Sequence, residues 1–111
     1  MKLTRFEIEV LRHLLQNRLT RNEWQALLSD YEITGYDFTG AGYFLEVACS
    51  RIELDKETIH QPVIKGKANG LEVGFLLFTE SNSITIECHG WSDENPPDNI
   101  RGLDLQITIE T

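Results

Sequence analysis

Three histidines, His13, His60 and His89, and two cysteines, Cys49 and Cys88, are the side chains that nucleophilic or metal chemistry would draw on first. A nucleophile needs a base within reach, and no Gly-x-Ser-x-Gly turn occurs to present one. His13 falls on a helical stretch, His60 in a loop-like stretch and His89 in a strand-like one. Each reads as a surface or hydrogen-bonded residue. Neither C-x-x-C nor H-x-x-x-H spacing is present. Cys88 and His89 are adjacent, so on a strand they point to opposite faces and cannot share a metal ion. Both cysteines lie in strand-like runs and read as small buried hydrophobes; a disulfide between them would be unusual in the cytosol. The carboxylate pairs Asp93/Glu94 and Asp37/Glu46 do acid–base work only inside a pocket. Gly40-Ala41-Gly42 lacks the third glycine of a dinucleotide fingerprint and precedes a strand rather than a helix. The expectation is a protein with no catalytic residues, no metal and no cofactor.

Charge says more than motifs do. The 111 residues carry a net charge of −8. Residues 1–28 hold Lys2, Arg5, Arg12, Arg18 and Arg21 against three Glu, a balance of +2. Residues 29–111 hold five cations against fifteen Asp and Glu, a balance of −10. Such a surface repels phosphate backbones, which argues against direct nucleic-acid binding, and it attracts basic proteins. The simpler alternative is that acidic charge only keeps the chain in solution. Met1-Lys2-Leu3-Thr4 leads straight into a capped, charged helix, and no run approaches the roughly 20 apolar residues of a membrane span. A cytoplasmic protein without membrane contact is therefore expected.

The elements that must position these groups can be read along the chain. Thr4 with Glu7 is a capping box, and Leu3 with Ile8 is its hydrophobic staple. Phe6, Val10, Leu11, Leu14 and Leu15 follow as one apolar stripe. Thr20 with Glu23 repeats the box, with Leu19 and Trp24 as staple, and a second short helix covers about residues 21–28. Residues 1–29 should thus form a helical hairpin, with Trp24 as a core or staple residue rather than a binding anchor. The remaining residues, 30–111, read as β-sheet in the same single domain.

Leu71 to Phe78 is apolar at almost every position, so both faces should be covered, as in a central strand. Ile84, Ile86 and Cys88 alternate with Thr85, Glu87 and His89, so one face of that strand should be buried. The polar break at 79–83 joins the two runs as a hairpin, and Asn69-Gly70 signals another before them. Tyr43 to Cys49 and the strictly alternating Leu103 to Glu110 read as further strands. The polar residues 50–61 read as an exposed connection, with Pro62 opening a weaker strand. The predicted class is α+β: a helical hairpin on a mainly antiparallel sheet of about five or six strands.

Two stretches are singled out for function. Residues 90–99 combine Trp91 with Asp93, Glu94 and Asp98 in a loop stiffened by Pro96-Pro97. An aromatic ringed by carboxylates is a protein-binding patch, unless Trp91 folds back on the sheet edge. Asp37 and Glu80 are its outlying members. The second stretch is the glycine-rich Tyr36–Tyr43 segment, where a small ligand or a minor activity would sit if there is one.

Phe38-Thr39-Gly40-Ala41-Gly42-Tyr43-Phe44, Gly74-Phe75-Leu76-Leu77-Phe78 and Glu87-Cys88-His89-Gly90-Trp91, followed by Glu94 and Pro96, resemble a pattern in small bacterial proteins without an established activity. The likeness spans roughly residues 36–97; it implies a common sheet core and transfers no catalytic residue. In size, acidity and lack of a catalytic motif, the chain is also similar to immunity proteins of bacterial contact-dependent toxin systems, which differ widely in fold. That likeness implies a non-enzymatic role: binding a basic toxin domain, such as a nuclease, in the cytosol and blocking its cleft with carboxylates. The alternatives are the small-molecule site at 36–43 and a plain interaction subunit of a larger assembly.

Overall fold

The computed structural model describes residues 1–110. Thr4 and Thr20 each start a ten-residue helix in the same way. In α1 (Arg5–Leu14), Thr4 Oγ1 accepts the Glu7 N–H at 3.2 Å, and Glu7 Oε1 accepts the Thr4 N–H at 2.9 Å. In α2 (Arg21–Asp30), the corresponding distances between Thr20 and Glu23 are 3.1 and 3.0 Å. Both boxes satisfy amides that a helix start otherwise leaves without acceptors. The 3.6-residue period then buries Phe6, Val10, Leu11 and Leu14 along one side of α1. The Tyr31 hydroxyl, just after α2, accepts the Leu3 N–H at 3.1 Å and ties the two ends of the helical hairpin together.

The chain then forms β1 (Glu32–Phe38), β2 (Gly42–Ala48), β3 (Leu54–Ala68), β4 (Leu71–Ser81), β5 (Ser83–Gly90) and β6 (Gln106–Glu110). They make one sheet in the order β1-β2-β5-β4-β3-β6, antiparallel at every pairing. The fold is α+β, with α1 packed across β3, β4 and β6. Tyr43, Leu45, Val47, Val73, Leu77, Ile84 and Ile86 are fully enclosed on the helix side, together with Leu11 and Leu27. β4 and β5 meet through the two residues Ser81 and Asn82, and β3 and β4 through Asn69 and Gly70, both with positive φ.

Four expectations are corrected. Residues 54–61 are not a connection; they are the first half of the fifteen-residue β3, pairing with the far end of β4. Only Leu54 and Ile59 are buried there, five apart, because the ladder is irregular and the period of two is lost. Pro62 accordingly lies at an irregularity within β3 rather than at its start. The apolar run 71–78 is a central strand, but only one of its faces is covered. Leu71, Val73, Phe75, Leu77 and Thr79 are buried, while Leu76 is half-buried and Phe78 exposed. Finally, the last strand begins at Gln106; Leu103 follows a 3-10 turn, Ile100–Gly102, and Leu105 is buried before the strand starts.

The Tyr36–Tyr43 glycines are explained by the β1–β2 hairpin. Thr39 N–H donates to the Gly42 carbonyl at 2.9 Å, and Thr39 Oγ1 accepts the Ala41 N–H at 3.3 Å. A Cβ on Gly42 would lie 1.8 Å from the Cys88 carbonyl oxygen, so backbone approach, rather than a ligand, requires glycine there.

Candidate functional site

With helices on one side only, the other sheet face is open, and the register lays out what it presents. Residues directly opposite in an antiparallel ladder share a face. One row across the sheet is Asp37, Phe44, Glu87 and Leu76. The next row toward the β4–β5 turn is Glu46, Thr85, Phe78 and Thr58. The row on the other side is Gly42, His89, Gly74 and Lys65. Phe44 and Leu76 are half-buried, and Phe78 is 40% exposed. Apolar side chains on β2 and β4 therefore flank Glu87 on β5, with Asp37, Glu46, Glu72 and Glu80 around them.

Trp91 belongs to the same face and is 46% exposed. Its indole meets the His89 ring edge-on at 6.0 Å between centroids, and the Lys65 ammonium lies 4.5 Å from its ring centre. Lys65 is itself held by Glu110 at 2.9 Å and Glu72 at 3.5 Å; the hydrogen bond it donates to Glu110 is the main cause that raises its pKa. His89 occupies space that Gly74 leaves free: a Cβ at residue 74 would lie 2.7 Å from His89 Nε2. His89 Nδ1 is buried without a hydrogen-bond partner, 3.5 Å from Glu87 Oε2. A depression of about 240 Å3 opens beside this group, lined by His60, Val63, Leu76, His89 and Trp91. A second, of about 530 Å3, lies at the other end of the face, lined by Glu46, Lys56, Phe78, Glu80 and Thr85.

The loop after β5 is pinned at both ends. Trp91 N–H donates to the Glu72 carbonyl at 2.8 Å, Gly90 N–H donates to the Ala41 carbonyl at 2.8 Å, and buried Pro96 packs on Gly90. The loop thus turns around the end of the sheet and divides the expected patch. Trp91 looks onto the open face, with Asp93 and Glu94 exposed beside it in the chain. Asp98 is exposed two residues before Ile100, which is buried in the helix-side core, and its charge is the smallest of the causes that raise the Tyr36 phenol, behind burial, Glu7 and Cys88. Asp37 faces the open side from edge strand β1, about 10 Å from β5 at ordinary strand spacing. Glu80 shares the face, but its partner Ser83 lies seven residue steps from Gly90, roughly 23 Å along a strand. The six residues are spread over one broad surface, with Asp98 around its end.

Sequence reasoning did not pick out the polar cluster on the helix side. Glu7 is fully buried, and its carboxylate accepts from Tyr43 Oη at 2.6 Å, from Arg101 Nε at 2.8 Å and from Arg101 Nη2 at 2.7 Å. Burial, with Glu7 next in importance, pushes the Tyr43 phenol far above its ordinary range. The Arg101 Nη2 also donates to the Lys2 carbonyl at 2.7 Å. The Glu7 carboxylate, the Tyr43 hydroxyl and the Nε and Nη2 of Arg101 are engaged within the protein, so the cluster fixes the loop end to α1. Cys49 and Cys88 are both buried and free. No group of three or more candidate metal ligands occurs among the described residues. No helix among them is long and apolar enough to cross a membrane.

Comparison with known proteins gave no match: no family model, curated protein or solved structure is significantly similar to this chain.

Proposed function

We propose that this is an immunity protein that binds a basic toxin domain through the open sheet face and obstructs its substrate cleft. The observation that carries the reading is the composition of that face. Half-buried Phe44 and Leu76 and exposed Phe78 and Trp91 stand among Asp37, Glu46, Glu72, Glu80 and Glu87. Apolar anchors supply affinity at the centre of a protein interface, and carboxylates around them select a basic partner and speed its capture. A toxin domain that handles RNA or DNA is basic for the same electrostatic reason that this chain, at −8, is not suited to bind nucleic acid itself.

The test uses any toxin domain found encoded beside this gene, in a surface-capture assay and a toxicity-rescue assay. Reversal of Asp93 and Glu94, exposed beside Trp91, to Lys should slow association, and raised salt should mimic it. Trp91→Ala should speed dissociation, losing about 2 kcal/mol or more of binding if it is an anchor. An interaction subunit of another assembly would use the same face but would not rescue growth. Absence of binding to any neighbouring toxin at micromolar concentration overturns the immunity reading.

A further inference from the structure

A different surface carries the opposite charge. At the turn between α1 and α2 lies an open cleft of about 380 Å3. Its apolar floor is Leu15, which is buried, with Leu19 and Trp24, which are half-buried. Gln16, Arg12 and Arg21 rim it, and the Arg12 guanidinium lies 5.9 Å from the Trp24 ring centre. Arg5, Arg18, Arg51 and Arg101 each pair with a carboxylate, to Asp104, Glu57, Asp30 and Glu7. Arg12 and Arg21 have no ion-pair partner among the described residues. The carboxylate at this helix start, Glu23, is turned back onto the Thr20 N–H.

Two exposed arginines by themselves are ordinary surface charge. These two differ in flanking an aromatic-floored cleft within the one net-positive region of an acidic chain. The volume falls in the usual range of small-ligand sites, roughly 300–1,000 Å3. Guanidinium groups match a carboxylate in shape and charge, and an indole face accepts a flat apolar body. The Arg21 and Asn22 amides at the start of α2 have no intrahelical acceptor, which adds positive potential at the same rim. We propose that this cleft binds a small organic anion: a flat apolar group bearing one carboxylate. The site stands apart from the sheet face, and neither reading depends on the other.

The probe is phenylacetate, followed in 1H–15N spectra of the full chain through the Trp24 indole and the amides of residues 20–24. Saturable shifts at these positions are expected, with neutral phenylacetamide and bare acetate each binding at least about tenfold more weakly. Arg12→Gln and Arg21→Gln should each weaken binding by about tenfold, and the double variant should abolish it. Both side chains are exposed, so the rest of the spectrum should stay in place. No saturable shift up to about 10 mM, equal response to the neutral amide, or full binding by the double variant overturns the proposal. If an acidic, aromatic peptide shifts these amides while phenylacetate does not, the occupant is a protein segment and the small-anion assignment is wrong.

Discussion

Arg101 closes on the carboxylate of Glu7 from ninety-four residues away in the chain, with Nε 2.8 Å from Oε2 and Nη2 2.7 Å from Oε1. Glu7 is inaccessible to water, and the Arg101 side chain is only 16% exposed. Taking a carboxylate out of water costs several kcal/mol unless its charge and lone pairs are met, and Arg101, Tyr43 and the Thr4 amide meet them here. Arg101→Ala should therefore destabilise the fold by about 3–5 kcal/mol, because it leaves a buried charge uncompensated. Removing both charges, as Glu7→Gln with Arg101→Met, should recover part of that loss. Urea melts of the single and double variants measure the coupling, and additive losses would show that the pair does not act as a unit.

Stability should fall on the alkaline side. Burial, then the negative charge of Glu7 and of Glu87, pushes the Cys88 thiol above its ordinary range, and burial with Glu7 does the same to Tyr43. Both groups keep their protons in the folded chain where the unfolded chain releases them. Their contribution is complete below the unfolded pKa values, about 8.5 for a thiol and 10 for a phenol, and is lost as pH rises beyond them. The slope should be about 1.4 kcal/mol per pH unit for each group in turn. Cys88→Ala should flatten the segment between about pH 8.5 and 10 and leave the later one. A flat wild-type profile between about pH 8.5 and 10 would contradict the burial of Cys88, and a flat one above about pH 10 that of Tyr43.

Gly74 and His89 form a steric pair on the open face. A methyl at residue 74 would lie 2.7 Å from His89 Nε2, so Gly74→Ala must move the ring, and Trp91 meets that ring edge-on. The expected cost is about 1–3 kcal/mol, with a change in Trp91 environment. His89→Ala in the Gly74→Ala background should restore most of the stability. If the two losses simply add, His89 does not occupy the space above Gly74.

Much of the fold was legible because local rules governed it. The two threonine–glutamate boxes, the Asn69–Gly70 turn and the alternation at 84–88 all appear where their spacing implies. What escaped was set by distant partners. Glu7 is legible as a capping residue, but nothing near it announces Arg101. β3 was missed over its first half because an irregular ladder hides its period. The loop carboxylates were grouped with Trp91 by sequence proximity, whereas the turn of the chain around the sheet end carries Asp98 toward Ile100, which is buried in the helix-side core. The apolar run 71–78 misled because apolar residues usually imply cover on both faces, and here they do not.

That last discrepancy separates folding from binding within three consecutive residues. Leu77 is fully buried against the helix layer, so Leu77→Ala should cost about 2–5 kcal/mol through lost contacts and a cavity. Leu76 and Phe78 point the other way, toward a face that no helix among the described residues covers. Changing both to Lys should cost about 1–3 kcal/mol, because Leu76 is half-buried and Phe78 is 40% exposed, and the fold should survive at low temperature. If the open face is the docking surface, the same double change should abolish toxin capture, because it places two charges in the apolar centre of the interface and opposes a basic partner. Leu77→Ala, measured below its melting temperature, should bind almost as the unchanged protein does. Capture at full affinity by the Leu76→Lys, Phe78→Lys variant would move the interface away from the sheet, to the loop of Asp93 and Glu94 or to the helix side.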